Sequence, residues 1–254
     1  MTNSQTLAGD YNYPEKLDQK QTGIKLSVII PTLNAGSTLN QAIESLSSAK
    51  QRGVEIEIIV VDAGSTDDTE QLALEADAKF VTSDRGRGTQ LHRGAQLASG
   101  DWLLFLHADT VLTSGWDASF VVFTSHPSNA ERGGVFTFAL DTNDIKARLV
   151  EKAVRFRNNW LGLPYGDQGL IINKHFYNCL GGYRKWPIME DVDLVRRIGM
   201  SRMVLFDVKA RTSAKRYIEE GYIRRIARNF ICLSLYFLKL PPDKIYKIYE
   251  KPAP

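Results

Sequence analysis

The sequence has few of the features that mark several common protein classes. Only two cysteines, Cys179 and Cys232, occur in 254 residues. Their wide spacing fits neither a disulfide framework nor a zinc site, so we expect a reducing, cytoplasmic location. No segment approaches the roughly 20 continuous apolar residues of a membrane-spanning helix. Residues 1–24 lack the apolar core of a secretory signal, and we expect them to form a flexible leader.

The usual signatures of nucleotide-binding enzymes and of hydrolases are also missing. The position after the first apolar run, where a dinucleotide-binding G-x-G-x-x-G belongs, holds PTLNAG. The segment at 86–91, GRGTQL, has leucine in place of the third glycine. Neither a phosphate-binding G-x-x-x-x-G-K-[ST] nor a G-x-S-x-G occurs. The sequence thus argues against Rossmann dehydrogenases, P-loop NTPases and α/β-hydrolases.

Charge is low overall but unevenly distributed. The formal net charge of +3 is too small to indicate nucleic-acid binding, so we expect no nucleic-acid partner. Residues 201–254, however, contain 12 Lys and Arg against 5 Asp and Glu, a net charge of +7, and the rest of the chain carries −4. A basic C-terminal fifth favours an anionic partner such as a phosphate group or an acidic membrane surface.

Apolar runs and helical patterns alternate along the first half of the chain. We predict strands at 26–31, 54–64, 78–83 and 101–107, with helices at 34–49, 65–76 and 87–99 between them. This order predicts an α/β fold with a mainly parallel central sheet flanked by helices. Further on we predict strands at 132–140 and 202–207, a helix at 145–160 and a strand followed by a helix within 166–183. We expect the remainder to be helical, and residues 25–254 to form a single domain.

The fourth predicted strand, in the stretch DWLLFLHADTVL, ends in an imidazole and a carboxylate, His107 and Asp109. Asp62 follows the second strand in the same way, and Pro31, Thr32 and Asn34 close the first. Ligands of open α/β sheets bind at the carboxyl ends of the strands, so these residues are candidates for one site. The alternative is that they form ordinary turns, for which Asp and Asn are common.

Four segments in consistent order carry a family resemblance: LSVIIPTLNAGSTLNQAIESL, EIEIIVVDAGSTDDT, GRGTQLHRGAQLASGDWLLFLHADT and MEDVDLVRRI. Together they resemble the family 2 glycosyltransferases of GT-A fold, in particular small bacterial stand-alone members whose strand-end motif is HAD. The resemblance covers about residues 25–240. It implies transfer of a sugar from a nucleotide-diphosphate sugar to an acceptor hydroxyl, with a donor half at about 25–115 and an acceptor half at about 116–254.

The resemblance also assigns roles at the strand ends. Asp109 corresponds to the aspartate that holds a divalent metal on the donor diphosphate, and His107 stands where a first aspartate is usual. This replacement implies weak binding of Mn²⁺ or Mg²⁺, with Mn²⁺ favoured if the imidazole is a ligand. Asp62 is implied to contact the nucleobase, with Pro31, Thr32 and Asn34 around the base and ribose.

The acidic pair Glu190–Asp191 begins the helical pattern of MEDVDLVRRI. Inverting transfer needs a carboxylate that removes the proton of the acceptor hydroxyl. The resemblance gives this role to Asp191 and gives Glu190 a part in orienting the acceptor or the base. The alternative is a helix start with acidic residues in its first turn. We predict that the next acid, Asp193, is solvated or caps the helix.

Five further residues are candidates for contacts to the donor. Arg87 stands at a helix start, where a bound phosphate would offset the unfavourable position of a cation. Asp167 and Gln168 lie in the glycine-flanked segment GLPYGDQGL. Lys215 and Arg216 form a basic pair suited to a diphosphate. The family's frequent third metal ligand, a histidine in this region, is absent, which again implies a weakly held metal.

The segment 222–240 allows two interpretations. The favoured one is a buried helix that closes the domain. The other is a helix that lies on an anionic membrane surface and brings the site to a lipid-linked acceptor, at the inner face of the membrane. Two further functions remain open at this stage: a nucleotidyltransferase that makes sugar nucleotides, and a non-catalytic protein that binds nucleotide sugars or serves as a membrane-surface scaffold.

Overall fold

A computed structural model describes residues 23–250, apart from the side chains at 159–161. The predicted leader therefore lies almost wholly outside the described residues. Within them the chain forms eight strands, which are β1 (Lys25–Thr32), β2 (Glu55–Asp62), β3 (Lys79–Thr82), β4 (Trp102–Phe105), β5 (Thr110–Leu112), β6 (Gly133–Leu140), β7 (Leu170–Asn173) and β8 (Met203–Thr212). The helices are α1 (Leu39–Glu44), α2 (Ser47–Gln51), α3 (Thr69–Glu75), α4 (Arg87–Leu97), α5 (Trp116–Ser125), α6 (Ile145–Leu161), α7 (Lys174–Cys179), α8 (Glu190–Ile198), α9 (Lys215–Glu220), α10 (Tyr222–Phe237) and α11 (Pro242–Glu250).

All eight strands belong to one sheet, in the order β3-β2-β1-β4-β7-β6-β8-β5. The four strands predicted from the first half of the sequence pair in parallel, and β6 pairs in parallel with β8. The contacts β4–β7, β6–β7 and β5–β8 are antiparallel. The predicted α/β fold with a mainly parallel sheet is confirmed, and each antiparallel contact involves one of the two short strands β5 and β7.

The order of the strands determines where a ligand can enter. The chain proceeds from β1 to β2 and β3 on one side and then crosses to β4 on the other side of β1. The carboxyl ends of β1 and β4 therefore border a crevice, because the connections that follow them diverge. Both strands are buried on two faces, as their β-branched and leucine-rich sequences predict. The residues that follow them, 33–38 and 106–109, lie at the mouth of this crevice.

The second half of the chain closes the same end of the sheet. Strand β8 runs to Thr212, five residues beyond the predicted end at 207, because β5 pairs with its last residues in the register Thr110–Thr212. This pairing carries α9 to the strand ends. The division into donor and acceptor halves remains a prediction.

The favoured interpretation of segment 222–240 as a buried helix is wrong. Helix α10 buries one face, which includes Arg225, Cys232 and Leu233. Its other face carries large apolar side chains in solvent, among them Ile223, which is 84% exposed, and Phe230, which is 69% exposed. None of the helices in residues 23–250 has the length and apolar character needed to cross a membrane.

Candidate active site

The crevice at the ends of β1 and β4 is the first of two connected clefts and is called the donor cleft below. Its walls come from the end of β1, the loop after it, helix α4, the segment after β4 and helix α9. Eight of the residues predicted to bind the donor line it: Pro31, Thr32, Asn34, Arg87, His107, Asp109, Lys215 and Arg216. Residues distant in the sequence thus meet as the strand-end argument predicts.

The second cleft, called the acceptor cleft below, lies on the other side of the same central residues. Its walls include the turn at 165–167, the start of α8, and helices α10 and α11. Asp167 and Asp191 are among its lining residues. The two clefts share Arg87, His107, Asp109, Ser213 and Arg216. A molecule in the donor cleft can therefore approach a molecule in the acceptor cleft at these five residues.

Asp109 is held at the junction by the strand pairing of the second half. The backbone N–H of Ser213 donates to the carbonyl of Asp109 at 3.2 Å, as the pairing of β5 with β8 requires. The hydroxyl of Thr212 makes only a long contact, 3.4 Å, to Oδ1 of the carboxylate. Most of the hydrogen-bonding capacity of the carboxylate is therefore left for a ligand in the clefts.

His107 lies two residues before Asp109 and is half-buried. Burial, followed by the nearby charge of Arg87, lowers the pKa of His107 to about 4. The imidazole is neutral at pH 7 and keeps a lone pair that can bind a cation. A Cβ atom built on Gly166 would lie 3.1 Å from Nε2 of His107 and 3.4 Å from Oδ2 of Asp191. Glycine at 166 thus lets the turn approach both side chains closely.

Asp191 is fixed by backbone groups at the start of α8. The N–H of Gly166 donates to Oδ2 and the N–H of Val192 donates to Oδ1, both at 2.8 Å. The side chain is largely buried but still lines the acceptor cleft. Each carboxylate oxygen retains a second acceptor position, so a substrate hydroxyl can donate a hydrogen bond to it.

Half-buried Arg87 and fully buried Glu190 form an ion pair between the starts of α4 and α8. The two helix starts are held together because the N–H of Gly88 donates to the carbonyl of Trp186 at 3.0 Å. A Cβ at Gly88 would lie 2.2 Å from the carbonyl oxygen of Arg184, so only glycine permits this approach. Burial raises the pKa of Glu190, and the Arg87 guanidinium opposes that rise. The anionic partner of Arg87 is thus a carboxylate and not the phosphate that the sequence predicts. The side chain also lines both clefts, so its contact with the donor stays a prediction.

Glu190 itself lies behind the cleft wall, with 0% exposure. The contact it makes is with Arg87, and its predicted role in orienting the acceptor or the base stays a prediction. The prediction that Asp193 is solvated is wrong. Asp193 is buried, and its carboxylate pairs with Arg197 at 2.6 Å and with Arg184 at 3.3 Å. These acids stabilise α8 and its neighbours.

Two predicted donor contacts also lie behind the cleft walls. Asp62 is 2% exposed. Its carboxylate accepts hydrogen bonds from Thr32, Gly64 and Ser65, which is the turn-forming alternative raised by the sequence. Gln168 is fully buried, and its amide bonds to the carbonyl of Phe136 and to Asn158. Both side chains shape the loops that border the clefts, and a direct contact with the donor would require these bonds to break.

Asn34 has a mixed role. It adopts a left-handed backbone conformation, with φ of 52°, which asparagine tolerates better than most residues. Its Oδ1 accepts from the N–H of Thr66 at 2.9 Å and so joins the loops after β1 and β2. The residue is exposed and lines the donor cleft. Its predicted contact with base or ribose stays a prediction.

Asp167 has an unusual environment for a carboxylate. Its Oδ1 is buried and has no hydrogen-bond partner among the described residues. Burial raises the pKa of Asp167 to about 6; Arg157 opposes the rise, and the carboxylates of Asp191 and Asp109 add to it. An unpartnered acceptor in a cleft wall is suited to a ligand hydroxyl.

This raised pKa predicts a pH-dependent effect on stability. Between about pH 4 and 6 the folded protein keeps a proton on Asp167 that the unfolded chain, with an ordinary value of 3.8, has released. The free energy of unfolding therefore falls with rising pH because of this group. Asp167→Asn should gain on the order of 2 kcal/mol relative to the wild type between pH 4.5 and 7.5, measured by urea unfolding. The same substitution at exposed Asp84 should give parallel curves, and parallel curves for Asp167→Asn would show that its carboxylate is solvated.

Sequence reasoning did not identify the wall of the acceptor cleft formed by α10 and α11. Arg225, Asn229 and Cys232 of α10 and Tyr249 of α11 line the cleft together with Tyr165 and Tyr217. Arg225 is buried and pairs with Glu220 at 3.1 Å. The signal in the sequence is that Arg225, Asn229 and Cys232 share one face of the helix, opposite Ile223 and Phe230.

A comparison with protein families decides the classification. The model of the family described as Glycosyl transferase family 2 matches residues 27–177, more than half of the chain. The chain belongs to glycosyl transferase family 2. This confirms the family resemblance and the class of enzyme. The matched segment includes β1 to β4, the strand ends with His107 and Asp109, and the turn with Asp167.

Several curated relatives are mycobacterial glycosyltransferases. The chain is 33% identical over 105 residues to the glucosyl-3-phosphoglycerate synthase of Mycobacterium tuberculosis, which covers 38% of this chain and 32% of the relative. It is 32% identical over 167 residues to a PGL/p-HBAD biosynthesis glycosyltransferase of Mycobacterium bovis, a match that covers 55% of this chain and 62% of the relative. The chain thus spans about a third of the length of the first relative and less than two thirds of the second.

Solved structures show the same fold. A crystal structure of the Mycobacterium tuberculosis glucosyl-3-phosphoglycerate synthase in complex with Mn²⁺ and UDP-glucose matches with a TM-score of 0.53 and 22% identity, covering 74% of this chain and 70% of that one. A structure of the same enzyme with Mg²⁺ and UDP matches with a TM-score of 0.51. The predicted GT-A fold is therefore confirmed.

Proposed function

We propose that this chain transfers a sugar from a nucleotide-diphosphate sugar to the hydroxyl group of an acceptor, with inversion at the anomeric carbon. The observation that carries the proposal is the meeting of two clefts at Arg87, His107, Asp109, Ser213 and Arg216. Transfer requires the donor and the acceptor to react without an intervening wall. The solved relative that binds UDP-glucose supports a nucleotide sugar as donor.

In the donor cleft, the loop after β1 offers backbone groups to the base and ribose. Arg216 and Lys215 of α9 are exposed at its other side. Within the described residues Arg216 forms no ion pair, whereas Nζ of Lys215 lies 4.0 Å from Oε1 of Glu219. Guanidinium groups bind phosphate oxygens in pairs. We therefore assign the diphosphate to Arg216 and Lys215, with Arg87 at the junction.

The residues at the junction fit a divalent metal that is held jointly with the donor. Asp109 supplies a carboxylate with free acceptor positions, and His107 supplies a neutral imidazole. Among the described residues, no three His, Cys, Asp or Glu side chains form a group that could hold a metal. His107 and Asp109 would therefore hold the metal together with oxygen atoms from the donor or from water. Bound there, Mn²⁺ or Mg²⁺ supplies positive charge to the diphosphate leaving group.

In the acceptor cleft, Asp191 is the proposed general base. Its carboxylate is held by two backbone N–H groups and faces the cleft, so an acceptor hydroxyl can donate to it and then transfer its proton. Asp167 lies in the same wall and is assigned to hold a sugar hydroxyl. With Asp191 as the one base and no covalent intermediate, transfer is a single displacement. The acceptor oxygen then attacks from the face opposite the departing diphosphate, and the configuration of the anomeric carbon is inverted.

Two other functions suggested by the sequence are less well supported. A nucleotidyltransferase needs a glycine- and basic-rich loop after the first strand, and the loop at 33–38 contains one glycine and no basic residue. A non-catalytic binding protein would not need a carboxylate oriented into the second cleft. We propose a cytoplasmic location for the transfer reaction. The lipid-linked acceptor and the membrane contact depend on the exposed face of α10 and are argued in the next subsection.

Thermal-shift titration with UDP, GDP and ADP and their common sugars, with and without Mn²⁺ or Mg²⁺, tests the donor. A ligand that binds only the folded state stabilises it by RT ln(1 + [L]/Kd), so a concentration of about 100 times Kd adds roughly 2.7 kcal/mol. We expect one nucleotide to raise Tm in a metal-dependent way, and Asp109→Ala to remove the metal dependence.

Asp84→Ala, on an exposed loop outside the clefts, is the matched control and should keep the full shift. If the nucleotide raises Tm without metal and still does so in Asp109→Ala, the basic residues alone bind the diphosphate. If none of the nucleotides shifts Tm at millimolar concentration, the transferase proposal fails.

A further inference from the structure

Helix α10 exposes an apolar stripe that nothing in the described residues covers. The stripe consists of Ile223, Ile226, Phe230 and Phe237, which are 84%, 45%, 69% and 47% exposed. Their spacings of three, four and seven residues place them on one face of the helix, opposite the buried Arg225 and Cys232. A soluble surface rarely carries large apolar side chains in such a row unless it meets a partner or a membrane.

Helix α6 also exposes apolar side chains. Ile145 and Leu149, which are four residues apart on one face, are 75% and 62% exposed. The opposite face of α6 packs, through Ala147, Val150 and Val154, in one apolar cluster with Tyr217 and Tyr222. The start of α10 and the first turns of α6 are therefore neighbours.

The charges of both helices are strongly one-sided. Helix α10 contains three basic residues and no acidic one, although Arg225 and Arg228 are paired with Glu220 of α9. Helix α6 contains five basic residues and one acid, Glu151. Among these, Lys152 and Arg224 are exposed. A second copy of the chain would bring the same positive charge against itself, which opposes dimerisation through this face. An anionic surface complements it.

The position of α10 connects this face to the site. On its buried side, Arg225, Asn229 and Cys232 line the acceptor cleft. The helix is therefore one wall of the cleft, with the apolar stripe on its outer face. A surface that holds the stripe lies within one helix diameter, about 10 Å, of the place where the acceptor must bind.

We propose that the apolar stripe of α10 and the exposed apolar side chains of α6 dock on an anionic phospholipid bilayer, with the helices lying at the level of the headgroups. A basic amphipathic helix with large apolar residues on one face binds such surfaces in this orientation. The consequence that the acceptor is a hydroxyl of a membrane lipid rests on the proposed function; the lipid binding does not.

Co-sedimentation of the full chain with large unilamellar vesicles tests the docking without any nucleotide. Vesicles of phosphatidylglycerol and phosphatidylcholine should sediment the wild type, and vesicles of phosphatidylcholine alone should sediment it far less. Ile223→Ser combined with Phe230→Ser should lower the partition coefficient by about tenfold or more, because the bilayer then receives two apolar side chains fewer. Leu74→Ser removes an apolar residue that is 59% exposed on α3, away from both helices, and should bind like the wild type.

A second pair of variants tests the charge. Lys152→Glu with Arg224→Glu should weaken binding to anionic vesicles and leave the weak binding to phosphatidylcholine unchanged; circular dichroism verifies that every variant is folded. Wild-type protein that stays in the supernatant with anionic vesicles at low salt would overturn the proposal. So would serine variants that bind as well as the wild type, or light scattering that shows a dimer which Phe230→Ser dissociates. None of these results depends on the nucleotide titration, so the two proposals fail separately.

Discussion

Arg87→Ala is expected to lower the free energy of unfolding by about 3–5 kcal/mol, the cost of leaving a buried charge without its partner. Glu190 has no exposure, and its Oε2 lacks a hydrogen-bond partner among the described residues. The Arg87 guanidinium is its ion-pair partner. Without the Arg87 guanidinium, burial would raise the pKa of Glu190 further. The variant should therefore regain stability relative to the wild type as the pH falls, because the carboxyl group of Glu190 is then protonated. Urea unfolding at several pH values measures both effects.

The control for this prediction is Arg85→Ala, two residues earlier. Arg85 pairs with Glu250 at 3.2 Å, but its side chain is 65% exposed, so the substitution should cost less than about 1 kcal/mol. In a double-mutant cycle, Glu190→Gln should recover part of the loss in Arg87→Ala, since the amide carries no charge. If Arg87→Ala alone costs less than 1 kcal/mol, Glu190 is solvated in solution and the buried pair does not hold α4 to α8.

The strands of the first half could be predicted because their sequences have one physical explanation. LSVIIP and DWLLFLH are apolar along their whole length, which fits strands buried on both faces of a parallel sheet. The location of the site could be predicted as well, because a crevice forms between the carboxyl ends of β1 and β4, where the connections that follow them diverge. The antiparallel strand β7 lies within 166–183, where the sequence predicts a strand. Strand β5 is only three residues long, and so short a run resembles a loop in a sequence.

The direction of single side chains at those ends could not be predicted. Asp62 and Asp109 both follow buried strands, yet Asp62 turns inward to four donors whereas Asp109 faces the clefts. The difference depends on the turn that follows each strand. The sequence also could not show which face of α10 is buried, for a related reason. Residues 230–238 are apolar almost all round, and only the placement of α6 and α11 shows which face has a partner.

Asp191→Asn is expected to lower the rate of sugar transfer by about 10²–10⁴-fold while leaving donor binding intact. The carboxylate lines the acceptor cleft and is not among the residues that line the donor cleft. An asparagine keeps one oxygen for the backbone N–H groups but cannot accept the proton of a hydroxyl group. The measurement is release of the nucleoside diphosphate from the sugar nucleotide that shifts Tm, with water as the acceptor, together with the thermal shift itself. The rate should fall and the shift should remain.

Asp109→Asn is the informative comparison, because that carboxylate lines both clefts and its loss should weaken donor binding as well as the rate. A variant Asp191→Asn within tenfold of the wild-type rate would remove Asp191 from the role of base. The second carboxylate of the acceptor cleft would then be tested by Asp167→Asn. The pKa of Asp167 is raised to about 6, closer to neutral pH than that of an ordinary carboxyl group, which suits a proton acceptor in a buried wall. A rate that falls only in Asp167→Asn would assign the base to the turn at 165–167.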